Sequence, residues 1–215
     1  MDKGLTLRKI CILKDAKPLI EVDHHIPPGE ILTVMGPSGV GKSTLLAYIT
    51  GTLGPDFTGM GEIALDGRDI TTTPPHLRQI GILFQDDLLF PHMSVGANLA
   101  FGMPPGGRRA VRQRLIAEAL RDVGLEGYAN RDPATLSGGQ RARVALVRMM
   151  LSQPKALLLD EAFSRLDVAL RAQVRTLIFQ TAQDRGLPVL MVTHDAEDAA
   201  AAKGPVIELR SLSGG

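Results

Sequence analysis

Ile31-Leu32-Thr33-Val34-Met35-Gly36-Pro37-Ser38-Gly39-Val40-Gly41-Lys42-Ser43-Thr44 is the stretch that decides the fold class. Ile31–Met35 is an apolar run short enough for a buried strand. The residues after it fit G-x-x-x-x-G-K-[ST] in full, and Ser43–Ile49 continues with helical spacing. Strand, glycine-rich loop, helix is the context this pattern needs to hold phosphate. Gly36, Gly39 and Gly41 permit backbone conformations that turn successive N–H groups inward as an anion nest, and the helix start adds its positive dipole end. Pro37, Ser38, Val40 and Thr44 are counted with them as nucleotide-binding positions. Lys42 is expected to reach the β- and γ-phosphates of a bound triphosphate, and the Ser43 hydroxyl to ligate Mg²⁺.

A second glycine motif lies downstream at Leu136-Ser137-Gly138-Gly139-Gln140, where Ser137 reads as the N-cap of a helix running through Leu151. Physically it is another anion site, with a hydroxyl and open N–H groups at a helix start. Whether it serves the same nucleotide, a different one, or only caps a helix is open on chemistry alone. The run Ala156-Leu157-Leu158-Leu159-Asp160-Glu161 then predicts a buried strand ending in two carboxylates. Strand alternation sends them different ways, so they can hold different tasks. Asp160 is the expected Mg²⁺ partner, mostly through water, and Glu161 the expected general base on an attacking water. Gln85 and His194 follow the strands Ile80–Phe84 and Val189–Val192. They gain weight because open α/β sheets bind ligands at strand ends.

Working outward, Leu5–Ile10 and Leu19–His25 predict two short antiparallel strands across a turn near Asp15–Pro18. Glu62–Leu65 is a further strand, with Asp66-Gly67 as the turn before Ile80–Phe84. Ser94–Phe101 and Val111–Val123 are helical in pattern, as is Asp167–Gln183, followed by a short helix at Ala196–Ala202 and a last strand at Val206–Leu209. These predict an α/β fold: a core with a mainly parallel sheet and N-terminal antiparallel strands, interrupted by a helical insert. The expected organisation is a single domain over residues 1–215, with its core at about 1–85 and 155–210 and the insert at about 86–154. Ser211–Gly215 is expected to be a tail. Its Leu212-Ser213-Gly214-Gly215 repeats four letters of the second motif with no room for a helix to follow.

The bulk numbers set bounds. The 215 residues carry a net charge of +1 and 44% hydrophobic residues, so nothing favours a nucleic-acid partner. A single cysteine, Cys11, cannot form an internal disulfide, which suits a reducing compartment. No apolar signal segment opens the chain and no run of 18 or more apolar residues occurs. A cytoplasmic protein is expected, with any membrane spans supplied by another subunit. His24-His25 point to opposite faces of a strand, which argues against a metal pair. Arg108, Arg109, Arg112, Arg114 and Arg121 read as a solvated basic face, and Cys11 as a small strand residue.

Taken together, these residues resemble the ATP-binding subunits of ABC transporters over almost the whole chain. Gly36–Thr44 looks like the family's Walker A loop, Gln85 like the Q-loop glutamine and Leu136–Gln140 like the signature motif. Ala156–Asp160 looks like Walker B, Glu161 like the catalytic glutamate, Ser164–Asp167 like the D-loop and His194 like the switch histidine. The run Gly81–Val95 further resembles binding-protein-dependent importers of the thiamine, iron(III), polyamine and sulfate group. The resemblance implies a P-loop NTPase core that binds ATP and Mg²⁺, and a head-to-tail dimer in which Ser137, Gly138, Gly139 and Gln140 of one copy close on nucleotide held by the other. It implies integral membrane permease subunits, a periplasmic solute-binding protein, and a peripheral location on the inner face of the cell membrane. Gln85, with Ser43 and Asp160, would belong to the metal site. The alternatives are an ATPase of the same family regulating a cell-envelope or nucleic-acid process, and a phosphate-loop kinase. Two departures stand out. Cys11–Lys17 offers no aromatic residue to stack on adenine, a contact worth about 1–3 kcal/mol. Ala162 also stands where the family usually has proline, which loosens that turn slightly.

Overall fold

The computed structural model describes residues 3–209, so the expected tail at 211–215 and its motif-like letters lie outside the described residues. In chain order the elements are β1 (Leu5–Lys14), β2 (Lys17–Ile26), β3 (Ile31–Met35), α1 (Lys42–Thr50), β4 (Phe57–Leu65), β5 (Arg68–Asp69) and β6 (Ile80–Leu83). There follow α2 (Val95–Gly102), α3 (Arg109–Asp122), α4 (Gly138–Leu151), β7 (Ala156–Asp160), α5 (Val168–Asp184), β8 (Val189–Thr193), α6 (Ala196–Ala202) and β9 (Val206–Glu208). They sort into two compact units. Among the described residues, the first holds 3–82, Lys155–Glu161 and 179–209; the second holds Leu83–Pro154 and Ala162–Ile178. Residues 162–178, expected with the core, therefore fall with the helical insert in this division.

The first unit carries two sheets. One is antiparallel in the order β2-β1-β4-β5; the other has five strands in the order β6-β7-β8-β3-β9, with β3 parallel to β8 and β9, and β7 parallel to β8. Ala156, Leu157, Leu158 and Leu159 are all fully buried, the unbroken apolar pattern of a strand covered on both faces. One core joins the sheets around α1, drawing on Leu5, Leu7, Ile10 and Ile12 of β1, Leu45 and Ile49 of α1, and Leu158 and Leu190 of the parallel sheet.

β1 is longer than its expected Leu5–Ile10 because of a bulge. Leu5 and Leu7 face the core, then Lys9 takes φ +48° and the inward phase moves to Ile10 and Ile12. A period-2 reading sees that phase change as an end. The bulge depends on Gly61 of β4: a Cβ there would lie 2.4 Å from the Lys9 carbonyl oxygen, and its φ is +97°. The hairpin turn is tighter than expected, with only Asp15 and Ala16 in the loop, both at positive φ, as a two-residue type I′ turn requires. Pro18 sits inside β2, where an edge strand tolerates its missing N–H. β4 also starts earlier than Glu62, at Phe57. Asp66-Gly67 turns it back into the unexpected short strand β5 rather than leading on to β6, which belongs to the other sheet.

Arg78, a residue that carried no signal in the sequence, is buried and holds the far end of α1. Its guanidinium donates to the carbonyls of Tyr48 (3.0 Å), Ile49 (2.7 Å), Thr71 (2.6 Å) and Thr73 (2.7 Å). Burial pulls its pKa below the usual arginine range, against the opposing pull of Tyr48 and Asp69. Arg78→Met would leave four carbonyls without this donor, at about 3 kcal/mol of lost stability. For a chain of this size that lowers the melting temperature by roughly 10 °C, to be read by calorimetry.

In the second unit α2, α3 and α4 pack around Val95, Leu99, Ile116, Leu120, Val144 and Val147. Ser94 caps α2, its hydroxyl accepting from the Ala97 N–H at 3.2 Å. Asn98 is fully buried; its amide oxygen accepts from the Phe90 N–H, and its NH₂ donates to the carbonyls of Phe90, Met93 and Ser94. The expected basic face is only partly solvated, because Arg112 donates to the carbonyls of Ala100, Pro104 and Gly106 and ties down the loop before α3.

Candidate active site

β3 delivers the chain into the glycine-rich loop from an interior position of the parallel sheet, between β8 and β9. Gly39 and Gly41 take φ of +81° and +105°, so the loop coils back on itself and α1 starts at Lys42. Gly41 is needed twice over: besides its φ, a Cβ there would meet the Ile20 side chain at 2.7 Å. Ser38, Gly39, Gly41, Lys42, Ser43, Thr44 and Glu161 line one open concavity.

Lys42 is only 7% exposed. Its ammonium donates to the carbonyls of Gly36 (2.7 Å) and Pro37 (3.1 Å) and stands 3.9 Å from Glu161 Oε1. The Ser43 hydroxyl lies 3.4 Å from Asp160 Oδ1, bringing together two oxygens that are 117 residues apart in sequence. The two carboxylates do take different partners, but strand alternation is not the cause, because β7 ends at Asp160 and Glu161 lies in a left-handed turn. Asp160 ends β7 beside Ser43, whereas Glu161 takes φ +47° and is aimed at His194, with Oε1 3.3 Å from Nδ1. Its N–H donates to the Val192 carbonyl (3.1 Å), so the neighbouring strand β8 sets both the turn and the histidine's position.

Burial holds the Asp160 carboxyl above the usual range and the Glu161 charge adds to it; the Ser43 hydroxyl and Lys42 pull the other way. An acid raised on folding keeps its proton longer in the folded chain, so stability falls as pH climbs through the carboxylate range. Without nucleotide or magnesium, Asp160→Asn is therefore expected to melt above the native chain at pH 7, the gap closing toward about pH 4. A gap of constant size across that range would overturn the assignment.

The same oxygens suit a hard cation. A hydroxyl and a carboxylate beside a second negative charge fit Mg²⁺, which takes few protein ligands and fills its shell with phosphate and water. Among the described residues no group of three or more His, Cys, Asp or Glu could hold a metal without such help. His25 Nδ1 hydrogen-bonds the Thr6 hydroxyl at 2.8 Å.

The second motif lies in the other unit. Ser137 caps α4 through a capping box, its hydroxyl accepting from the Gln140 N–H (3.3 Å) while Gln140 Oε1 accepts from the Ser137 N–H (3.0 Å). Gln140 Nε2 donates to the Tyr128 hydroxyl (3.2 Å), so this side chain braces the motif. Gly138 and Gly139 begin the helix, where N–H groups have no partner one turn back. Gln85 is exposed, just beyond β6 in this same unit.

A glycine-rich loop with its lysine, a strand-end acid pair and a neighbouring histidine define a P-loop ATPase centre, here in a chain with a helical unit that carries a second glycine-started, capped helix. Residues 19–164 match the ABC transporter family, and the chain belongs to it. Among the relatives it resembles, the uncharacterized ABC transporter ATP-binding protein YnjD of Escherichia coli K12 is 49% identical over 199 residues, covering 93% of this chain and 90% of that one. The thiamine import ATP-binding protein ThiQ of Yersinia pseudotuberculosis is 45% identical over 197 residues, covering 91% and 82%. Of solved structures, cbiO1 from Clostridium perfringens, part of the ABC transporter complex cbiONQ, superposes with a TM-score of 0.84 at 27% identity, covering 98% of this chain and 86% of that one. The expected α/β fold and family are thereby established, and the chain is an ATP-binding, ATP-hydrolysing protein.

Proposed function

We propose that this chain energises solute import through a separate membrane permease, hydrolysing ATP as a head-to-tail pair of copies. One observation carries the reading: Lys42, Ser43, Asp160, Glu161 and His194 converge in one unit, while a second capped, glycine-started helix stands in the other. Gly36–Thr44 would cradle the phosphates, with Lys42 exchanging its loop carbonyls for phosphate oxygens. Ser43 and Asp160 would hold Mg²⁺, which would supply charge compensation for the phosphates. Glu161 accepts the proton of the attacking water, and His194 orients Glu161. Ser137, Gly138 and Gly139 of the second copy supply N–H and hydroxyl donors to the γ-phosphate, while Gln140 keeps their helix start in register. A two-fold pair satisfies both sites at once.

No helix among the described residues is long and apolar enough to cross a membrane, so the spans would belong to the permease. The chain would then work from the cytoplasmic face, peripheral to the membrane, with a periplasmic solute-binding protein on the far side. Relatives named for thiamine import support the importer reading, and those other subunits would select the solute. Affinity purification from membranes checks it: recovery of a polytopic subunit is expected, and recovery without one sinks the transport role. ATP consumption that needs a small-molecule acceptor would instead favour a kinase.

A further inference from the structure

Three arginines converge on the short segment that follows Gln85. Arg165 pairs with the Asp86 carboxylate. Arg148 donates to the carbonyls of Leu88 (2.7 Å) and Asp87 (3.1 Å). Arg141 does more: its Nε meets Asp87 Oδ2 at 3.1 Å while its Nη1 donates to the Leu136 carbonyl at 2.9 Å. Leu136 immediately precedes the N-cap Ser137, so one guanidinium bridges this segment to the chain entering α4. All these groups lie in the second unit.

The segment is also strained. Leu88 is a non-glycine residue at φ +47°, with its side chain 55% exposed. Such a conformation is unfavourable for a side chain with a Cβ and persists only where surrounding bonds over-determine it. The Arg148 bonds to both flanking carbonyls do that. The Asp87 side chain is only 26% exposed, so its pair with Arg141 is more than a solvated surface contact. Phe84, Leu88 and Phe101 are exposed on this unit, so a partner bound there would bear directly on a spring-loaded segment.

We propose that Asp87 and Arg141 form a positioning pair, which passes displacement of segment 86–88 to the start of α4 and so sets the alignment of the Ser137, Gly138 and Gly139 donors. Neither residue needs to touch nucleotide. The inference rests on the reading of α4's start as part of the active site, and its test separates the two. In the isolated chain without nucleotide, Asp87→Asn and Arg141→Met are each expected to raise amide exchange at residues 137–141 about tenfold, with no further increase in the double variant. Non-additivity of this kind is the mark of a physical link. ATP turnover should fall by a similar factor at unchanged affinity for a fluorescent ATP analogue, and Asp87→Glu should restore most of it. Exchange that stays at the native level overturns the pair, as does equal loss of nucleotide affinity, which would mean general damage. Raised exchange with unchanged turnover supports the mechanical link and overturns the catalytic reading of α4 beneath it.

Discussion

Glu161→Gln is expected to slow ATP hydrolysis by about 100- to 1000-fold while ATP binding is kept or tightened. The glutamine can still hydrogen-bond His194, 3.3 Å from the present carboxylate oxygen, so the local geometry survives. What disappears is the base that accepts a proton from water. The substitution also removes a negative charge from the concavity beside the glycine-rich loop, and with it one of the two causes that raise Asp160, so the Asp160 carboxylate is left better charged. With turnover stalled, the ATP-bound pair should persist as a dimer in size-exclusion chromatography with ATP and Mg²⁺. Hydrolysis at near-native rate would remove Glu161 from its role, and a strictly monomeric profile would overturn the shared-site mechanism.

Lys42→Ala should lower nucleotide affinity by roughly 10- to 100-fold, because each charge-assisted hydrogen bond to phosphate contributes about 1.5–3 kcal/mol. The ammonium is held by the Gly36 and Pro37 carbonyls, with Glu161 at 3.9 Å, so the charge lies at the mouth of the nest. Lys42→Arg is not expected to rescue, since a planar fork cannot replace a compact ammonium in a loop of this curvature. Titration with a fluorescent ATP analogue reads the effect. An unchanged affinity would show that the backbone nest alone holds the triphosphate.

Sequence patterns reached furthest where the controlling interactions are local. Ile31–Met35 and Ala156–Leu159 were legible as buried strands because both faces are covered and the apolar run is unbroken. The α4 cap was legible too, since Ser137 and Gln140 meet within one turn. The alternating pattern of β1 stops short because the bulge at Lys9 moves its inward face by one residue, and that of β4 starts late because Thr58-Gly59-Met60-Gly61 has turn composition. The bulge in β1 is set by a neighbouring strand, where Gly61 leaves room for the Lys9 carbonyl. Arg78, Asn98 and Arg141 were silent for the same reason: a lone polar residue has no periodicity, and all three act on carbonyls brought near by folding.

The order and spacing of residues by themselves determined the phosphate loop, the acid pair and the second helix start, because these motifs bind through backbone shape and helix ends encoded within a few residues. Only the tertiary structure decided how they work together. Parallel pairing of β7 with β8 places His194 against Glu161, and the packing of α1 beside β7 sets Ser43 opposite Asp160. Separations of 33 and 117 residues lie beyond any local pattern. They close because the parallel register, with Met35 beside Thr193 and Asp160 beside Val192, carries the ends of β3, β7 and β8 to one edge of the sheet.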